Sequence, residues 1–171
     1  MTGQLAAAST MANPLTQELI DHIESNEVSI YMATCDTQRT LRGTRAYACR
    51  MAADGPSITT WIKVEGNDAV LANIKNSGRL ALVICNVESN KALQLKAIDA
   101  RITDIRSDDY PRLLTYQQGF IAKTSSLGYP ADVMRTHIHF RVDALVAVQF
   151  TPIAAFTQTP GPKAGTQVGA A

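Results

Sequence analysis

The strongest constraint on this chain is a series of short segments in which apolar residues recur at every second position, with turn-forming residues between them. "VSIYMATC" sets Val28, Ile30 and Met32 against Ser29, Tyr31 and Ala33, and "SITTWIKV" sets Ile58, Ile62 and Val64 against Thr59, Trp61 and Lys63. A period of two sends alternate side chains to opposite faces of an extended backbone, so both segments are predicted strands. Between them "RAYACRM" lies after Gly43 and before "ADGP", which predicts a strand pair closed by Asp54 and Gly55. "RLALVICN" is a nearly continuous apolar run, short enough for a core strand. In "KALQLKAIDARITDI", Gln94 and Lys96 alternate with Leu93, Leu95 and Ala97. The apolar phase then slips by one to Ile98, Ala100 and Ile102, which predicts a β-bulge that keeps one face buried. "HIHFRVDALVAVQF" is expected to supply one or two closing strands.

Three segments carry helical signals. Asn13 as cap, Pro14 at the first position and Leu15, Leu19 and Ile23 on one face predict a first helix. "GNDAVLANIKNSG" predicts a second, capped by Asn67 and ended by Gly78. "SDDYPRLLTYQQGFIAK" predicts a third, capped by Ser107, with Asp108 and Asp109 at the positive end of its dipole and "TSSLGYP" as the loop beyond. The tail "TPIAAFTQTPGPKAGTQVGAA" holds so many prolines and glycines that it is expected to be irregular, sustaining no ladder. The expected class is mainly β (α+β): a small barrel of about six antiparallel strands with short flanking helices. The expected organisation is a flexible leader over 1–12, one domain over 13–156 and an irregular tail over 157–171.

Composition limits the functional classes. The 171 residues are 46% hydrophobic, enough for one core. Sixteen Lys and Arg against fifteen Asp and Glu leave a net charge of +1, so no overall field draws the chain to nucleic acid or an acidic membrane. No apolar run approaches the roughly 20 residues of a bilayer span. Cys35, Cys49 and Cys85 are odd in number and widely spaced, and read as reduced thiols of a cytoplasmic protein. There is no GxSxG, P-loop, HExxH or GxGxxG motif. "HIH" would put His137 and His139 on one face of a strand, but two imidazoles without a third ligand do not make a metal site, and none is assigned. Arg45 and Arg50 are five residues apart, so a bulge is needed for both to face one ligand. Each arginine reads either as an anion-binding fork or as a solvated edge charge. Gln94 reads either as a ligand contact or as an amide on the wet face.

Taken in order, "RAYACR", "NIKNSGRLALVICN" and "LQLKAIDARI" resemble the pyridoxamine 5'-phosphate oxidase-like family of FMN-binding split barrels, and "FTQTPGPKAG" is similar to the tail of an uncharacterised branch of that superfamily. The resemblance spans roughly residues 28 to 165. It implies a split β-barrel, a homodimer with flavin at the interface, and FMN or a related deazaflavin as cofactor. "RAYACR" resembles the family's RxVLLK segment, so Arg45, Ala46, Tyr47, Ala48, Cys49 and Arg50 are implied flavin contacts, with Arg50 where Lys is expected. Lys63 and Val64, at the end of the pocket-lining strand, are implied contacts too. Gln94 matches the glutamine of the family's Arg-Gln-Val strand and is implied to face the flavin.

The departures are as specific as the matches. The family's Ser-Arg-Lys phosphate clamp falls at Asp68, Ala69 and Val70, so both cations are missing. At about 1.5 to 3 kcal/mol per charge-assisted hydrogen bond, losing two weakens phosphate binding by roughly 3 to 6 kcal/mol, or two to four decades in affinity. Lys63, Lys75 and Arg79 are the nearby cations that would replace them. The oxidase's substrate-binding Arg and its C-terminal Trp and Arg motif have no counterpart, so oxidation of pyridoxamine phosphate itself is not implied. The resemblance therefore implies a flavin-dependent oxidoreductase for another small molecule. A binding module that kept the barrel and lost the clamp is the alternative, and a haem-handling barrel using His137 or His139 is a third.

Overall fold

The computed structural model describes residues 15–169. The expected leader over 1–12 and the Asn13 and Pro14 helix start lie outside the described residues. The first helix, α1 (Gln17–Ile23), is capped by Thr16, whose side chain accepts from the Leu19 amide. Thr16 supplies the cap that the sequence reading had placed at Asn13.

The alternating segments form strands β1 (Val28–Cys35), β2 (Leu41–Met51) and β3 (Ile58–Lys63), with Asp54 and Gly55 in the turn between the last two. Next come α2 (Asp68–Ser77), β4 (Leu80–Asn86), β5 (Ala92–Ala97) and β6 (Arg101–Thr103). Helices α3 (Asp109–Ser126) and α4 (Ala131–His137) follow, then a one-turn 3-10 helix at 142–144. Strands β7 (Leu145–Phe150), β8 (Ala154–Thr157) and β9 (Gln167–Val168) complete the chain. All nine strands form one antiparallel sheet in the order β6-β7-β3-β2-β1-β4-β5-β8-β9. The sheet curls into a split barrel. The chain crosses between the two sides of the sheet at 98–100 and at 151–153, where the Ile153 amide donates to the Lys96 carbonyl at 2.8 Å and the Thr151 amide to Asp99 Oδ1 at 2.9 Å.

The expected β-bulge after Ala97 is instead a corner. β5 ends there, Ile98 is exposed, and β6 joins β7 at the other end of the sheet. A one-residue slip in apolar phase marks a change of strand as readily as a bulge. The corner is pinned against α2, where the Ala100 amide donates to the Gly78 carbonyl at 2.9 Å. Gly78 has φ of 62°, and a Cβ there would stand 2.6 Å from the Ile98 carbonyl oxygen. The true bulge lies in β2 at Ala48, where φ is 51° and the register with β3 shifts between Tyr47 and Cys49.

Three further expectations are corrected. "HIH" is not a strand: His137 ends α4, and only Leu145–Phe150 pairs with β3. α3 runs on through "TSS", and its N-cap position is Asp108 rather than Ser107. The tail sustains ladders after all, because Ala154–Thr157 contains no proline and pairs with β5, while the Pro/Gly cluster forms the turn into β9. Among the described residues the strand count is nine rather than about six, the extra ones being short strands at or next to the sheet's edges.

Packing forms two layers. Ile30, Met32, Ile62, Leu82, Ile84 and Leu95 fill the barrel interior, all fully buried or within 1% of it. On the sheet's other face, α3 covers Tyr47 and Trp61 with Leu113, Tyr116 and Phe120. α3 and α4 cover only the β2 and β3 side of that face. The part formed by β1, β4 and β5 stays open. Among the described residues no helix is long and apolar enough to cross a membrane.

Candidate functional site

The antiparallel registers align one cross-strand row on the open face: Arg45 opposite Tyr31, Tyr31 opposite Val83, Val83 opposite Gln94, and Gln94 opposite Phe156. Directly opposed residues share a face, so the row is continuous although its members lie far apart in sequence. The neighbouring row holds small residues, with Ala33 opposite both Gly43 and Ala81. Together they make a groove of about 350 Å³ lined by Tyr31, Ala33, Gly43, Arg45, Val83 and Gln94, among others. It continues into a wider trough of about 530 Å³ that shares Ala33 and Ala81 and adds Leu41, Arg79, Lys96, Ile98 and Ile153.

Arg45 is held at the point where the helical cover stops. Its Nη1 donates to Tyr31 Oη at 3.1 Å and lies 2.9 Å from His137 Nε2, and its Nη2 lies 3.4 Å from Ser29 Oγ. The guanidinium also stacks over Tyr31 and Phe120, 5.4 and 5.2 Å from their centroids. Its Nε is buried without a hydrogen-bond partner among the described residues. Gln94 is half-buried, and its Oε1 accepts from Gln158 Nε2 at 3.3 Å. Gln94 therefore faces the groove with its amide nitrogen uncommitted among the described residues.

The bulge at Ala48 does turn Arg45 and Arg50 to the same face, since Tyr47 opposes Trp61 and Arg50 opposes Thr59 across the shift. The two arginines still do not meet. Arg50 is drawn under α3, where its Nη2 lies 2.6 Å from Asp109 Oδ1 and its guanidinium stacks 5.6 Å from the Trp61 centroid. Ala46 and Ala48 are buried, Tyr47 packs on Phe140 at 5.0 Å, and Cys49 is fully buried, its thiol pushed up to about 12 chiefly by burial. Lys63 ends β3 and Val64 follows it, and neither lines the groove. Of the expected contacts, the structure brings together Arg45 and Gln94.

The start of α2 offers no anion clamp: Asp68 and Ala69 are exposed, and Val70 is buried. Of the proposed replacements, Arg79 lines the trough, whereas Lys63 and Lys75 do not. Lys96 lines it too, with Nζ 4.7 Å from the Phe156 centroid. Neither Arg79 nor Lys96 has a carboxylate partner among the described residues. Sequence reasoning passed over Tyr31 and Lys96 as site residues; their only signal was that they share the polar phase of their strands with Gln94. His137 and His139 do not share a strand face, and among the described residues no three metal-ligating side chains cluster.

No protein-family model matches the sequence, and no curated protein resembles it. The fold does have solved relatives. A Lactobacillus delbrueckii protein provisionally described as a pyridoxamine 5'-phosphate oxidase superposes with a TM-score of 0.51 at 20% identity, over 85% of this chain and 95% of that one. An F420 reductase superposes with a TM-score of 0.50 at 14% identity, over 82% and 98%. In its curled antiparallel sheet and flanking helices, this chain has the split-barrel fold of the pyridoxamine 5'-phosphate oxidase-like proteins.

Proposed function

We propose that the chain is a flavin-binding split-barrel protein, and a flavin-dependent oxidoreductase for a small molecule, with FMN or a related deazaflavin lying along the open groove. One observation carries this reading: Arg45, Tyr31 and Gln94 converge on a floor of small residues, and two cations without carboxylate partners stand at the trough's far end. A floor of Ala33, Gly43 and Ala81 lets a planar ring approach the backbone closely. Gln94 presents an amide able to donate to a ring-edge acceptor, and Arg45 places a fixed positive charge beside it. Arg79 and Lys96 would hold the cofactor's anionic tail in place of the missing clamp. A bound flavin supplies the hydride chemistry, and the chain supplies binding, orientation and electrostatics.

The groove is open on one side. Leu41, Ile98 and Ile153, which are 72%, 54% and 55% exposed, border the trough and support a second copy of the chain closing over it. A cytoplasmic setting belongs to the same proposal and is supported by three thiols that form no disulfide. The balanced charge supports neither nucleic acid nor membrane as a partner. The uncharged start of α2 beyond Asp68 favours the alternative, a binding module without catalysis. The test is an absorbance spectrum of the purified protein with FMN titrations of the wild type, Arg45→Ala and Gln94→Ala. Each substitution is expected to weaken FMN at least tenfold; unchanged affinity in both defeats the site assignment.

A further inference from the structure

We infer that a second ligand compartment lies between α3 and α4, on the helical side of Arg45, and that it takes a small planar ketone whose carbonyl is recognised by His137 Nδ1–H. The compartment measures about 300 Å³ and is lined by Val87, Phe120, Thr124, Tyr129, Met134 and His137. That is the lower end of the range for small-molecule sites. Its walls are apolar or aromatic. The Thr124 hydroxyl already donates to the Phe120 carbonyl at 2.7 Å, so it does not serve a ligand as a donor.

The tautomer of His137 follows from its neighbour. Every guanidinium nitrogen of Arg45 is a donor, so His137 Nε2, 2.9 Å from Nη1, must accept. The ring proton then sits on Nδ1, which has no partner among the described residues. Burial, and then the charge of Arg45, depress the pKa of His137 and so favour this neutral form. Of the cations on α3 and α4, Lys123 is paired with Glu27 and Glu88, and neither Arg112 nor Arg135 lines the compartment. A neutral acceptor therefore fits the compartment better than an anion. A flat body would lie against Phe120 and Met134, and its carbonyl would meet the imidazole at the rim. Arg45 thus serves two neighbouring compartments: it borders the sheet groove directly, and it sets the donor of the helical one through His137. This site goes beyond the flavin reading and does not depend on it.

Ligand-observed NMR of the flavin-free protein with 1-tetralone, and with its hydrocarbon counterpart tetralin, tests the inference. Binding of 1-tetralone to the wild type is expected. Met134→Trp and Val87→Trp, which fill the compartment from α4 and from the segment after β4, should each lose at least tenfold. His137→Phe should lose about tenfold for 1-tetralone and less than twofold for tetralin. FMN affinity should be the same in Met134→Trp as in the wild type, so a protein that binds 1-tetralone but not FMN would sink only the flavin reading. The inference is overturned if 1-tetralone does not bind, if both filled variants bind it as the wild type does, or if His137→Phe weakens both probes equally.

Discussion

Replacing Asp109 with alanine should destabilise the fold by about 3 kcal/mol, because this one carboxylate joins α3 to the sheet at two side chains and to the backbone just before the helix at a third point. Its Oδ2 accepts from Trp61 Nε1 at 3.2 Å and from the Arg106 amide at 2.9 Å, and its Oδ1 faces Arg50 at 2.6 Å. Asp109 is 1% exposed and Trp61 is fully buried. Alanine would leave the indole N–H buried without an acceptor, at about 1 to 3 kcal/mol. It also removes a first-turn negative charge, worth about 0.3 to 1 kcal/mol. The Arg50 side chain keeps 27% exposure, so its lost pairing costs well below the roughly 3 to 5 kcal/mol of a fully buried pair. Asp109→Asn retains an acceptor for Trp61 and should cost about half as much. Urea unfolding followed by circular dichroism measures both, and for a chain of this size about 3 kcal/mol corresponds to roughly 6 to 12 °C in Tm. A loss below about 1 kcal/mol for Asp109→Ala, or equal losses for the two variants, refutes the argument that this carboxylate anchors the helix.

Gly78→Ala should cost at least about 2 kcal/mol in the same assay, because an L-residue is strained at its positive φ and the added Cβ meets the Ile98 carbonyl. Stability should also fall as pH drops from 7 to 5.5. Burial holds the pKa of His22 below its ordinary value near 6.5, with the hydrogen bond to the Ile84 carbonyl opposing in part, so the unfolded chain takes up a proton before the folded one does. His22→Gln should flatten that decline, and an undiminished slope in the variant would show that other groups cause it. Thiol titration at pH 8 should find Cys35 and Cys85, both part-exposed, reacting in the native protein and Cys49 only after unfolding.

The strands were legible because a period of two is a local property: β1 to β5 and β7 can each be recognised from a handful of residues. What joins them was less so. The slip between Leu95 and Ile98 is the same string of letters whether the chain bulges or turns a corner, and only pairing with β7 decides it. α4 carried no apolar stripe, since none of its seven residues is buried, and so had nothing for a periodicity to detect. β8 was hidden by the prolines that follow it. The site was half legible. Gln94 and Arg45 stand out by chemistry, but the row that unites them runs through Tyr31 and Val83 and depends on strand order. Arg50 looked equivalent to Arg45 until its partner, Asp109, 59 residues further on, came to rest beside it.

The most direct test of the central claim is a paired fluorescence titration of the purified protein with FMN and with riboflavin, repeated on the Arg79→Ala/Lys96→Ala double variant. If the groove holds a flavin and these two cations replace the missing clamp, FMN should bind at micromolar levels or better and at least tenfold more tightly than riboflavin. The double variant should erase that preference. Failure of the wild type to bind either flavin, or equal binding of the two, would contradict the account.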